Sequence, residues 1–154
     1  MMPMRNNASV EIAQRCKFVC SYLVRTPSTD DQPHYYLQPC AYTVDVTVKS
    51  TKIRVGTDRV LDFAVLEESI KSVVPDGKFI ISCVGGDFTK LIAALDTLNV
   101  PIEYVSFEIC TENICAWIAD MLQARLTYYD WGVIVTSVVL TENGSSKATW
   151  RAIQ

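Results

Sequence analysis

The chain has 154 residues, of which 49% are apolar and 20% charged, and its formal net charge is −3. A chain of that size and composition suits one domain, 1–154, that buries its own core; its 14 Lys and Arg residues are scattered instead of forming a stripe, which argues against nucleic acid as a partner. No apolar run nears the roughly 18–20 residues needed to cross a bilayer, and the opening MMPMRNNASV lacks a signal peptide's apolar segment, so a cytoplasmic protein without a membrane partner is expected, with residues 1–9 as a disordered tail.

Val10 to Val24 is rich in β-branched and aromatic residues, with Phe18, Cys20 and Tyr22 on one parity, and reads as a first strand. The polar segment Arg25 to Pro33, with its two prolines and adjacent aspartates, reads as a surface loop. Ala41 to Val48 alternates cleanly, placing Tyr42, Val44, Val46 and Val48 on one face of a half-buried antiparallel strand. Asp62 caps a helix whose stripe is Phe63, Leu66, Ile70 and Val73 or Val74, ending before Pro75. A strand over Lys78 to Val84 follows, closed by Gly85 and Gly86, then a second helix over Asp87 to Leu98.

Glu103 to Ile109 is a further short strand, and Thr111 is the expected N-cap of a long helix, Glu112 to Leu126, with Cys115, Ile118, Ala119 and Leu122 inward. Gly132 to Leu140, an Asn143-Gly144 turn and Ala148 to Ile153 complete a C-terminal hairpin. This order predicts an α+β fold, an antiparallel sheet with helices packed on one face; a parallel doubly wound sheet is the competing topology, but no dinucleotide or phosphate-loop motif supports it. The six cysteines form no C-x-x-C pair and sit in apolar stretches, so they read as free buried thiols.

Four segments, in order, carry a family resemblance. Phe18 to Tyr22, Leu37 to Tyr42, Val60-Leu61-Asp62-Phe63 with Leu66, and Thr111-Glu112-Asn113-Ile114 with Trp117-Ile118 resemble successive motifs of the 6-pyruvoyltetrahydropterin and 6-carboxytetrahydropterin synthase family. Val138 to Glu142, with Ala148 and Trp150 beyond the turn, is similar to that family's terminal hairpin. The resemblance implies the tunnelling fold, in which subunits assemble, often as hexamers, into a β-barrel with sites at their interfaces. The segment Cys83 to Ser106 is longer than the family's connection, which makes the second helix an insertion.

The family's reaction needs three imidazoles on zinc and a proton relay. The resemblance puts Tyr22, Gln38 and Cys40 at the ligand positions, a poor donor set for zinc, so no cofactor is expected. It places His34 where a catalytic cysteine would stand, and Asp76-Gly77 where an Asp-His dyad would be; the plain alternatives are an ordinary loop histidine and a turn. Glu142 corresponds to the glutamate that anchors the pterin ring, and a carboxylate suits the paired N–H groups of pterins, guanine and deazaguanines; alternatively it faces water beside the turn.

Glu112 is a second ligand-binding candidate, though an acidic residue there also favours the helix start. Two weaker readings are a thiolate site from Cys16, Cys20 and Cys40, and a stacking surface from Tyr128, Tyr129 and Trp131, for which packing beneath the helix is the simpler explanation. The leading expectation is a catalytically degenerate, zinc-free relative that binds a pterin- or purine-like ligand or scaffolds as a homo-oligomer. The alternatives are an active lyase using His34 and Cys40, and a structural subunit for a protein partner.

Overall fold

The computed structural model describes residues 10–27, 34–50 and 60–153. The tail assigned to residues 1–9 and most of the loop assigned to Arg25 to Pro33 lie outside the described residues.

The described chain runs β1 (Glu11–Thr26), β2 (His34–Ser50), α1 (Phe63–Val73), β3 (Lys78–Ser82), α2 (Thr89–Thr97), β4 (Ile102–Val105), α3 (Thr111–Tyr128), β5 (Val133–Glu142) and β6 (Ser146–Arg151). One six-stranded sheet has the order β4-β3-β1-β2-β5-β6. Its body, β1-β2-β5-β6, is antiparallel, and β3 and β4 extend it from the edge of β1 with parallel pairing. This is the expected α+β sheet-and-helix plan, and the doubly wound topology is absent.

β1 and β2 pair without a break from Glu11↔Lys49 to Thr26↔His34, so even-numbered residues of both strands share one face. That face carries Cys16, Phe18, Cys20 and Tyr22 opposite Cys40, Tyr42, Val44, Val46 and Val48, all buried beneath α1 and α3. A register shift at Thr47/Val48 against β5 lets both Val135 and Val138 point inward although they are three positions apart, which strict alternation forbids.

The second strand begins at His34, not Ala41, because β1 supplies backbone partners all along that segment. Pro39 is tolerated there since β5 reaches β2 only from Tyr42 onward, leaving the Pro39 nitrogen on an open edge.

In α1, Asp62 caps as its sequence position suggests, its carboxylate accepting the Ala64 amide at 2.8 Å. Leu66, Ile70 and Val73 pack inward, whereas Phe63 is 54% exposed and lies outside the stripe assigned to it. α3 buries Ile114, Cys115, Ile118, Ala119, Leu122 and Leu126. It starts one residue early, at Thr111 with Cys110 at the N-cap, because the Thr111 hydroxyl is engaged elsewhere.

β3 is buried on both sides: Ile80 joins the core under α1 and α3, while Phe79 and Ile81, which alternate with it, pack on Leu95 of α2. The helices α1 and α3 therefore back one face, and α2 meets the sheet from the other. The terminal hairpin closes through a three-residue loop, 143–145, in which Asn143 (φ 47) and Gly144 (φ 80) are both left-handed and the Ser145 amide donates to Glu142 O at 3.1 Å.

Candidate functional site

The inward face of β1 and β2 carries a polar chain partway along the paired strands. The Tyr22 and Tyr42 hydroxyls lie 3.2 Å apart, and the single S–H of Cys40 can donate to either the Tyr22 oxygen at 3.5 Å or the Glu142 Oε1 at 3.4 Å. The Thr111 hydroxyl donates to Glu142 Oε2 at 2.7 Å and sits 3.2 Å from the Tyr42 oxygen. Strand register explains the convergence: Cys40 is Cα partner to Cys20, Tyr42 faces Glu142 across β2 and β5, and the first turn of α3 lies above both. The Asn143 amide pins the end of β5 by accepting the Ala41 N–H at 3.0 Å.

Tyr22, Cys40 and Tyr42 are buried, and Glu142 and Thr111 are half-buried at the mouth of the group. Sequence reasoning singled out Tyr22, Cys40 and Glu142 but missed Tyr42 and Thr111 as members. Tyr42 was hidden in a run that reads as core, and Thr111 in a motif that reads as a helix cap.

The other candidates lie apart from this group or serve the backbone. Gln38 is register partner to Tyr22, but its amide donates to its neighbour's carbonyl, Pro39 O, at 3.4 Å. Asp76 accepts the Val19 amide at 3.0 Å while the Gly77 amide donates to Val19 O at 2.7 Å, so this pair closes the turn onto β1 where β3 begins. His34 opens β2, exposed and six residues from Cys40, roughly 20 Å along an extended strand.

Glu112 is exposed in the first turn of α3, its carboxyl held below the usual range by hydrogen bonds from its own amide and from Cys110. Cys16, Cys20, Cys40 and Cys115 are buried, as expected of free thiols, but Cys83 is exposed and Cys110 half-buried. Tyr129 stacks on Trp131 with centroids 4.9 Å apart under the Arg125 guanidinium; Trp131 is half-buried against the core, whereas Tyr128 is 82% exposed beyond the end of α3.

Burial sets the site's electrostatics. It pushes the Cys20 thiol up to about 12, with Cys40, Asp76 and Glu142 nearby adding to the shift. It also raises both phenols: Tyr22 by burial and its bonds to Cys40 and Tyr42, Tyr42 by burial against the opposing effect of its bonds from Thr111 and Tyr22.

All three groups are neutral when protonated, so the folded chain holds these protons more tightly than the unfolded one. Their stabilisation is complete below the unfolded values and is lost as pH rises through the folded ones. Alkaline titration is expected to bring cooperative unfolding as pH climbs from about 9 towards 12, the span of the Cys20 shift. Circular dichroism and tyrosinate absorbance would follow it together; stability unchanged across that span would contradict the burial of these groups.

The residues at the expected metal positions do not fit zinc. The Tyr22 phenol keeps its proton within a hydrogen-bonded chain, the Gln38 amide turns to Pro39, and only Cys40 offers a soft donor. Among the described residues no group of three or more His, Cys, Asp or Glu side chains could hold a metal ion. Likewise no described helix is long and apolar enough to cross a membrane.

The six-stranded sheet and the helices packed on it define a sheet-and-helix protein with the tunnelling fold. Solved structures give the particular likeness. The chain is similar to an uncharacterised protein from Wolinella succinogenes, at 21% identity over 94% of this chain and 99% of that one, with a TM-score of 0.72. It is also similar to 6-pyruvoyltetrahydropterin synthase from Plasmodium vivax (17% identity, 95% and 99% covered, TM-score 0.68) and from Caenorhabditis elegans (14%, 95% and 97%, 0.58). At these identities the likeness shows a pterin-synthase fold across essentially the whole chain. No protein-family model and no curated protein matches the sequence.

Proposed function

We propose that this chain is a zinc-free, catalytically degenerate relative of the pterin synthases that binds a pterin-, guanine- or deazaguanine-like heterocycle through Glu142. The observation that carries this reading is the Glu142 carboxylate held 2.7 Å from the Thr111 hydroxyl at the half-buried mouth of the site, with Tyr22, Cys40 and Tyr42 hydrogen-bonded behind it. Each carboxylate oxygen accepts at most one internal bond and keeps a second lone pair, enough for the two parallel N–H groups of a 2-aminopyrimidinone edge. Assembly as a homo-oligomer, a hexamer by family resemblance, belongs to the same reading. Val19 and Leu37, 56% and 57% exposed on the sheet face away from α1 and α3, support self-association.

Isothermal titration with pterin, guanine and deazaguanine tests it. Glu142→Gln replaces one acceptor oxygen with a donor and is expected to weaken binding at least about tenfold, the scale of a lost charged hydrogen bond. Absence of heat with every heterocycle would remove the ligand-binding reading. A scaffold role would then stand, favoured by the fact that both Glu142 oxygens already have a donor within reach in the chain.

A further inference from the structure

A separate cavity of about 310 Å³ lies between α2 and the sheet, at the C-terminal ends of β1 and β3. Its walls are apolar and come mainly from the sheet face opposite the polar group: Leu23, Phe79, Ile81, Phe88 and Leu91, with the Tyr35 ring edge-on to Phe88 at 5.4 Å. Gly86 allows that closure, since a Cβ there would fall 2.9 Å from the Phe88 ring and 3.1 Å from the Tyr35 hydroxyl. The volume is at the low end for small-molecule sites, and the lining, apolar with a few polar groups, is of the usual kind.

Two charges border the cavity, Arg25 and Glu108. Both side chains are exposed, and they form no ion pair with each other. Opposite charges at one apolar cavity suit a ligand that brings both complementary charges on one end and an apolar body on the other. A carboxylate meets the Arg25 guanidinium, an ammonium meets Glu108, and the apolar part enters between Phe79, Phe88 and Leu91.

We propose that this cavity is a binding site for a free apolar or aromatic α-amino acid. It shares neither residues nor ligand chemistry with the Glu142 site, so the two stand or fall separately.

Isothermal titration of the full chain with L-phenylalanine, 3-phenylpropionate and phenethylamine tests the proposal. L-Phenylalanine is expected to bind at least about tenfold more tightly than either singly charged analogue, the scale of one charged hydrogen bond. Arg25→Gln is expected to bring L-phenylalanine down to the level of phenethylamine without altering phenethylamine itself, and Glu108→Gln to bring it down to 3-phenylpropionate. Both positions are exposed, so these variants keep the fold; Leu91→Trp, which fills the cavity, is expected to abolish binding of all three. Equal binding of the three compounds, no heat with L-phenylalanine at millimolar concentration, or unchanged L-phenylalanine affinity in both rim variants would overturn it.

Discussion

Val46→Asp is expected to leave no folded protein. Val46 is fully buried in the middle of β2, between Gln14 of β1 and Val138 of β5, and faces the helices through the same stripe as Val44 and Val48. A carboxylate there has no partner within the core, and an unpaired buried charge costs several kcal/mol against a total stability of about 5–15 kcal/mol. The milder Leu122→Ala, on the buried face of α3, is expected to cost about 2–5 kcal/mol and lower Tm by roughly 5–15 °C while leaving the chain folded. Soluble yield and thermal circular dichroism measure both, and a stable Val46→Asp protein would show that the even-numbered face of β2 is not the core.

Tyr22 gives the second large effect and separates packing from hydrogen bonding at the candidate site. Its ring is 4% exposed and its hydroxyl lies within reach of both Tyr42 and Cys40. Tyr22→Ala removes a buried ring and is expected to cost about 3–5 kcal/mol. Tyr22→Phe keeps the ring and loses only the hydroxyl, for about 1 kcal/mol. Urea unfolding reads the difference. Equal losses would place the stabilisation in the hydrogen bonds alone, and no loss from either would mean that Tyr22 does not fill this part of the core.

The sheet was legible where alternation is clean. Ala41 to Val48 showed its inward face, and Asp62 and Asn143-Gly144 marked a helix start and a turn because each does its local job through its own side chain. The start of β2 was not legible, since His34 to Cys40 pairs through its backbone and the pattern there is broken by Gln38 and Pro39. The side of the sheet that α2 takes was equally hidden: an amphipathic stripe announces a buried face, but the partner is set by the β3 alternation of Phe79, Ile80 and Ile81.

At the site, the residue types named at Tyr22, Cys40 and Glu142 do meet, because they share parity on paired strands. Their bonding to one another through Tyr42 and Thr111 depends on hydroxyl positions that only the packed structure fixes. Asp76 shows the opposite case. A carboxylate beside a glycine in a turn reads equally as a relay or as a backbone anchor, and here it accepts the Val19 amide.

By resemblance to the pterin synthases, we propose that Tyr22, Gln38 and Cys40 stand at that family's zinc positions, where a phenol, an amide and a single thiol make a poor donor set. Elemental analysis of protein purified without chelators, after equilibration with excess zinc and exhaustive dialysis, measures this directly. The expected result is far less than one zinc per chain, with Tyr22→Phe no different from the parent; one tightly held zinc per chain, lost on substituting Cys40, would contradict it.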